Sequence, residues 1–551
     1  MNKHENNSLR RWEVIAKAAK HTLKIKQIES ILLKNRGLKS KSDRAEFFRP
    51  TPPEKLSLKA LGINPAQVKK AVERINKAKK TGELIIVYGD YDADGICATA
   101  ILWERLYGLG LNVLPHIPER FSEGYGLNVE SIKALKEKNP KLGLIITVDH
   151  GIVAGDKIEA AKALGIDVII TDHHEPGDKL PKPVALVHTT KMGGAAVAWI
   201  LAREVKKSPQ GLDLVAIGTI ADQLPLTFAN RSFAKYGLEA LNTTERVGLN
   251  ALFGEAGIEK GEVEPYHVGF MIAPRINAMG RVLHAIDSLR LLCTKSPSRA
   301  RRLAELLNKT NLERQRIVEE VVLHARASVV GEKGIIVLAH ESYHEGVIGL
   351  AAARLVEEFY RPVVMISKKA GVAKASARSI SGFNIIESIR KLEDLLIEGG
   401  GHPMAAGFSI DPGKIEEFTK RINSVASPLL TEEILTKRLK IDLEISFENI
   451  GDDLLRLVRL FEPTGIGNPT PTFISKGVSV VEARVVGREA THLKLKLKQR
   501  EKTIEAIAFG LGRVFKELSV SSKVDIAYCL EENTYNGKVN MQLKVKDLKL
   551  R

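Results

Sequence analysis

Apolar residues run in short unbroken blocks at 84–88, 142–148, 167–171 and 184–187. Blocks of this length without polar alternation predict strands covered on both faces, as in a parallel sheet. The segments 98–109 and 154–164 fall between them and are spaced as helices, so the region predicts an α/β unit. Upstream, Trp12, Ile15, Leu23 and Ile28 lie roughly on helical spacing and predict a basic helix over 9–35. Pro50, Pro52 and Pro53 break the pattern, and a short helix then ends near Lys80. Residues 230–330 read as mainly helical, with the charged stretch 299–322 as a connector. A smaller α/β unit follows, with strands at 335–338 and 363–366 and helices at 348–359 and 385–391, closing near Val425. Beyond Thr431 come short spaced strands at 478–486, 492–497, 503–509, 524–530 and 539–545, which predict a small barrel of OB type. The boundaries expected are 1–54, 55–245, 246–325, 326–427 and 428–551.

Acids gather at the ends of the predicted parallel strands. The first strand runs into Asp-Tyr-Asp-Ala-Asp-Gly at 90–95, and no Lys or Arg lies between Lys80 and Arg105. Asp149 follows the second strand, Asp172-His173-His174 the third, and Asp222 another apolar stretch. Strand carboxyl ends form the ligand crevice of open α/β sheets, so these groups are expected to converge. At ~4 Å and an effective dielectric of about 20, each like-charge pair costs on the order of 4 kcal/mol, which calls for a divalent cation. A lone acid after a strand is commonly a helix N-cap, but capping requires neither three acids in one turn nor paired histidines. Mixed carboxylate and imidazole donors suit Mn²⁺, Mg²⁺ or Zn²⁺, and this set is large enough for two ions able to hydrolyse a phosphoester.

Charge extends the picture. A formal net charge of +17 around an acidic cluster suggests a polyanionic partner, nucleic acid first. Residues 491–498 alternate basic and apolar positions, which fits either a nucleic-acid groove or an edge strand kept soluble by lysine. Cys97, Cys293 and Cys529 form no CxxC pair, so a zinc ribbon or disulfide framework is excluded and a reduced, cytoplasmic setting is expected. No apolar run reaches about 18 residues, so no membrane span is expected. Two rival motifs fail. Residues 90–101 begin like an EF-hand, but the twelfth position is Ile101 and a strand precedes them. His340-Glu341-Ser342-Tyr343-His344 matches HExxH, yet it follows a strand and runs into Gly346 rather than lying on a helix.

These motifs together resemble the DHH phosphoesterase superfamily. Most similar is its bacterial branch of single-strand-specific 5′→3′ DNA exonucleases. Four further stretches carry that likeness: Arg-Phe-Ser-Glu-Gly-Tyr-Gly at 120–126, Pro-Arg-Ile-Asn-Ala-Met-Gly-Arg at 274–281, His-Glu-Gly-Val-Ile-Gly at 344–349, and Gly-Gly-Gly-His-Pro-Met-Ala-Ala-Gly at 399–407. The last is the signature of a DHHA1 domain. The resemblance covers the chain from about Asn35 onward. It implies a parallel-sheet DHH domain and a smaller α/β DHHA1 domain joined by a long helix, with an OB-fold barrel at the C-terminus. It also implies a hydrolase that degrades single-stranded DNA to 5′-mononucleotides in repair and recombination.

By the same resemblance, Asp92, Asp94, Asp149, His173 and Asp222 hold two divalent ions, Mn²⁺ or Mg²⁺, with Asp149 between them. Asp90 is a ligand or a supporting acid, and His174 contacts the scissile phosphate, so Asp149, His173 and His174 are the expected catalytic set. Arg275 and Asn277 are expected on the phosphate backbone, His402 in the cleft from the DHHA1 side, and Arg120, Ser376 and Arg378 at a 5′-phosphate. Single-strand-binding protein and a helicase are the partners implied, for a monomeric enzyme without membrane contact. One departure is Tyr88, where some members carry a metal-binding histidine; the first metal is therefore expected to be held weakly or only with DNA. A small-substrate phosphatase or oligoribonuclease, and a silent DNA-binding scaffold, are the alternatives that metal and substrate-length tests separate.

Overall fold

The computed structural model describes residues 10–17, 23–329, 334–535 and 538–551. The chain divides into two compact units. One comprises residues 1–12, 281–283 and 309–439, the other 13–280, 284–308 and 440–551.

In the larger unit, five parallel strands are ordered Val113–His116, Leu84–Tyr88, Leu142–Val148, Asp167–Asp172, Ala185–His188. Counted along the chain this is 2-1-3-4-5, whose crossover reverses between Leu84–Tyr88 and Leu142–Val148. That reversal opens a crevice beyond the strand ends. The central strands are buried along almost their whole length, as the unbroken apolar runs require. Val113–His116 was not foreseen: it is four residues long and contains Pro115, which an edge strand tolerates. The helix after the first strand spans Ala93–Gly108, beginning five residues before the expected start because Asp92 caps it.

Two expectations near the N-terminus change. Arg11–Ala16 is a strand, at the sheet edge beside Arg438–Glu444. Among the described residues the helix spans Ile25–Asn35, and Leu9 and residues 18–22 lie outside the described residues. Val14 and Ile15 are β-branched, and the edge pairing outweighs the loose helical spacing.

The C-terminal strands Phe473–Val486, His492–Gln499, Lys502–Ala508, Lys538–Leu550 and Lys523–Tyr535 pair in that order, and the last returns to the first. This closed five-strand barrel is the OB arrangement. Leu493, Leu495 and Leu497 fill its interior while Lys496 and Lys498 stand outside; Lys494 pairs with Glu505 at 3.2 Å. Arg231, buried in the helix Phe228–Asn242, ties that helix to the segment that leads into the barrel. Its five N–H groups donate to the carbonyls of Phe47, Leu460, Phe461, Glu462 and Pro463, at 2.7–3.3 Å.

The smaller unit holds a sheet ordered Leu396–His402, Ala405–Ile410, Ala373–Arg378, Val363–Ser367, Ile336–His340, parallel only between the last two. Its first three strands were not foreseen. The helix Ile348–Phe359 packs on this sheet. His340 ends a strand and His344 lies in the following turn, so the HExxH residues share no helix face. The connector is one helix, Pro297–Ala327. Among the described residues no helix is long and apolar enough to cross a membrane.

Candidate metal centre

Each acid reaches the crevice through local backbone logic. Asp92 is the N-cap of Ala93–Gly108, its Oδ1 accepting Gly95 N–H at 2.9 Å. Asp94, in the first turn of that helix, accepts the N–H groups of Gly194 and Ala195 at 2.7 and 2.9 Å. Those amides open the helix Gly194–Val205, whose positive end favours the carboxylate. Asp149 leaves its strand with φ +69°, left-handed backbone that a non-glycine residue rarely adopts, and its N–H donates to Thr171 O at 3.0 Å. Asp222 ends the helix Leu212–Ala221.

The convergence predicted for them is observed. Donor atoms of Asp90, Asp92 and Asp149 lie within 4.8 Å of one another, as do those of Asp94, His173 and Asp222, and of Asp149, His173 and His174. Asp149 and His173 each belong to two of these groups. The packing leaves room for little else: a Cβ at Gly194 would lie 2.2 Å from Asp149 Oδ1, and one at Gly218 2.1 Å from Asp94 Oδ1. Neither glycine was singled out from the sequence.

Electrostatics follow from this crowding. Burial, then the charge of Asp92, pushes the Asp94 carboxyl up to about 7. Burial, then Asp94 and Asp92, pushes Asp222 up to about 8. Asp90 and Asp149 are driven well above the usual carboxylate range, by burial first and neighbouring acids second. Asp149 Oδ1 is buried and accepts no hydrogen bond, although His173 Nε2 is 3.0 Å away. Carboxylate and imidazole donors gathered this closely, around a carboxylate oxygen that accepts no hydrogen bond, fit a divalent metal.

The other motif histidines divide the work. Buried His150 contacts the Tyr88 carbonyl through Nε2 at 2.9 Å, and burial holds it down to about 4, hence neutral. His174 Nδ1 lies 2.8 Å from Asp172 Oδ1. Burial opposes its charge, but the bond to Asp172 prevails and raises it to about 9. Asp172 Oδ1 also accepts the backbone N–H groups of His173 and His174, and its Oδ2 accepts that of Ile152. Asp172 thus orients the histidines and belongs to none of the metal-binding groups. Tyr88 packs among Leu84, Ile86, Leu127 and Ile132, its ring 4.5 Å from that of His116.

Asn277 Oδ1 accepts Ala93 N–H at 2.7 Å, within the acid motif itself. Arg275 donates to Met271 O and Asn308 Oδ1. The Arg120 guanidinium lies 5.0 Å from the centre of the Tyr91 ring. In the smaller unit, Arg378 donates to Ser376 Oγ at 3.1 Å. A Cβ at Gly349, in the first turn of Ile348–Phe359, would meet both side chains within 3 Å, so these groups gather at one helix N-terminus. His402 is exposed at the end of its strand.

Comparison with known proteins gives the arrangement a class. Residues 84–219 match the DHH family, N-terminal domain, and residues 331–427 the DHHA1 domain. The chain is of the DHH class and carries a DHHA1 domain. Residues 441–547 match the RecJ OB domain. The single-stranded-DNA-specific exonuclease RecJ of Thermus thermophilus is 35% identical over 88% of this chain and 71% of its own length. That of Bacillus subtilis is 37% identical over 87% of this chain, which spans 63% of the Bacillus protein. The chain belongs to the RecJ family of single-stranded-DNA-specific exonucleases. A crystal structure of Thermus thermophilus RecJ in complex with Mn²⁺ superposes with a TM-score of 0.82 at 30% identity, covering 98% of this chain and 79% of that one.

Proposed function

We propose that the chain hydrolyses single-stranded DNA from the 5′ end and releases 5′-mononucleotides. Two divalent cations, Mn²⁺ or Mg²⁺, would be held by Asp90, Asp92, Asp94, Asp149, His173 and Asp222. The observation that carries this reading is the buried Asp149 Oδ1, without a hydrogen bond and 3.0 Å from His173 Nε2, amid acids raised by one another. Divalent ions bound in such a set activate water as a nucleophile and offset charge developing on the phosphate.

The chain's own groups supply the rest. His174, held through Nδ1 by Asp172, donates its Nε2–H to the scissile phosphate; its side chain is 37% exposed. Ser376, Arg378 and the helix N-terminus at Gly349 receive the terminal 5′-phosphate, since donors of this kind match an anion. Asn277 holds the acid motif, and Arg120, Arg275 and His402 contact the backbone of the strand. Lys496 and Lys498 on the barrel's outer face attract the strand by charge. A role in DNA repair and recombination, with single-strand-binding protein and a helicase, extends the family reading. So does a monomer in the cytoplasm, which three unpaired cysteines fit.

Long single-stranded DNA labelled at either end, digested with Mn²⁺ beside Asp149→Ala, tests the proposal. Metal-dependent loss of the 5′ label, absent in the variant and on blunt duplex, is expected. Cleavage confined to RNA of two to five nucleotides would replace it with an oligoribonuclease, and binding without cleavage would leave a scaffold.

A further inference from the structure

The motif at 120–126 has so far supplied Arg120 alone, yet its tyrosine lies closer to the chemistry. Tyr125 is half exposed, and its hydroxyl lies 3.5 Å from His174 Nε2 and 3.4 Å from the backbone carbonyl of Asp149. Its flanking glycines explain how it gets there. Gly124 and Gly126 adopt φ of +80° and +74°, left-handed backbone on both sides of one residue, which residues with a Cβ resist. The Tyr125 ring meets those of Tyr91, His150 and His174 edge-on, at 6.1–6.5 Å. Half its surface is open to solvent, so core filling does not account for a tyrosine here.

The contacts form a line. Asp172 engages His174 Nδ1 at 2.8 Å and leaves Nε2 as the outward nitrogen. Tyr125 Oη stands at that nitrogen, with the Asp149 carbonyl in reach of the phenol proton. Hydrogen bonds at active sites are often long before substrate binds and shorten in the reacting complex.

We propose that Tyr125 is a positioning residue whose hydroxyl shares the one Nε2 proton of His174 with the scissile phosphate and so fixes the angle from which that nitrogen meets it. This rests on the assignment of His174 to that phosphate. The geometry explains why the segment reads Gly-Tyr-Gly, and why tyrosine rather than phenylalanine stands there.

Tyr125→Phe keeps the ring and removes the oxygen. On 5′-labelled single-stranded DNA, kcat is expected to fall about tenfold, the worth of one hydrogen bond, with KM, the Mn²⁺ activation constant and the melting temperature unchanged. In a His174→Asn background the same change should cost nothing more, because a residue acting through His174 has nothing left to position. An unaltered kcat in Tyr125→Phe, or full additivity with His174→Asn, overturns the inference. If His174→Asn itself leaves kcat intact, the assignment of His174 has failed instead, so the two failures are distinguishable.

Discussion

Asn277 Oδ1 accepts the backbone N–H of Ala93 at 2.7 Å, at the one residue that separates Asp92 from Asp94. Helix N-termini leave their first amides without intrahelical partners. A side chain 184 positions away therefore sets the spacing of two adjacent acids. Asn277→Ala should weaken Mn²⁺ binding by about 10–100-fold, the usual cost of losing a group that orients metal ligands. Calorimetric titration of Mn²⁺ checks this, and a variant that binds as tightly as the parent would remove Asn277 from the site.

Crowded acids make the metal-free protein a strained one. Asp149→Asn removes the carboxylate that Asp90, Asp92, Asp94 and Asp222 all repel. Unfolding in EDTA should show the variant more stable than the parent, by on the order of 1 kcal/mol, while nuclease activity is lost. Equal or lower stability in EDTA would mean that the acids do not burden one another.

Gly194→Ala tests the packing. Its Cβ would lie 2.2 Å from Asp149 Oδ1, so the acid or the helix must move. Displacement of about 1 Å at reacting groups costs on the order of a hundredfold in rate. Steady-state kinetics should show that loss in kcat with the protein still folded by circular dichroism.

Arg378→Ala should erase the preference for DNA that carries a 5′-phosphate. A charge-assisted contact of this kind is worth about 1.5–3 kcal/mol, or roughly 10–100-fold in kcat/KM. Paired assays on phosphorylated and dephosphorylated strands give the ratio, and an unchanged ratio places the phosphate elsewhere.

Arg231 donates to carbonyls, lies 3.9 Å from the centre of the Phe47 ring, and has no carboxylate partner among the described residues. Burial, then the charge of Arg36, holds it down to about 10. Arg231→Lys keeps the charge but has too few donors for five carbonyls. A loss of on the order of 3 kcal/mol in unfolding free energy is expected from the groups left unpaired. A shift under 0.5 kcal/mol in denaturant titration would contradict it.

How much of this was legible depended on where the signal lay. Asp90, Asp92, Asp94 and Asp149 follow strands, whose ends a parallel sheet brings together whatever their separation, whereas the apolar run before Asp222 is the helix Leu212–Ala221. The strand Ala373–Arg378 alternates alanine with polar residues and Leu396–His402 contains three glycines, so neither shows the β-branched texture that marks a strand. Arg11–Ala16 becomes a strand through a partner more than 400 residues away, which no local window contains. The contact of Asn277 Oδ1 with the Ala93 amide was not legible, because that orphaned amide is visible only once the helix start is known. Tyr125 was within a recognised motif, but its direction depends on two backbone turns and the position of His174.

The hydrogen bonds of Arg231 read main chain only. Every hydrogen-bond partner it has in Leu460–Pro463 is a backbone carbonyl. The buried Phe461 ring, 5.4 Å from that of Phe47 and 5.7 Å from that of Phe48, adds a side-chain anchor to the same joint. A foreign barrel grafted downstream would inherit the same seat only if the aromatic anchor were kept with it, so the movable part of this chain begins after Phe461.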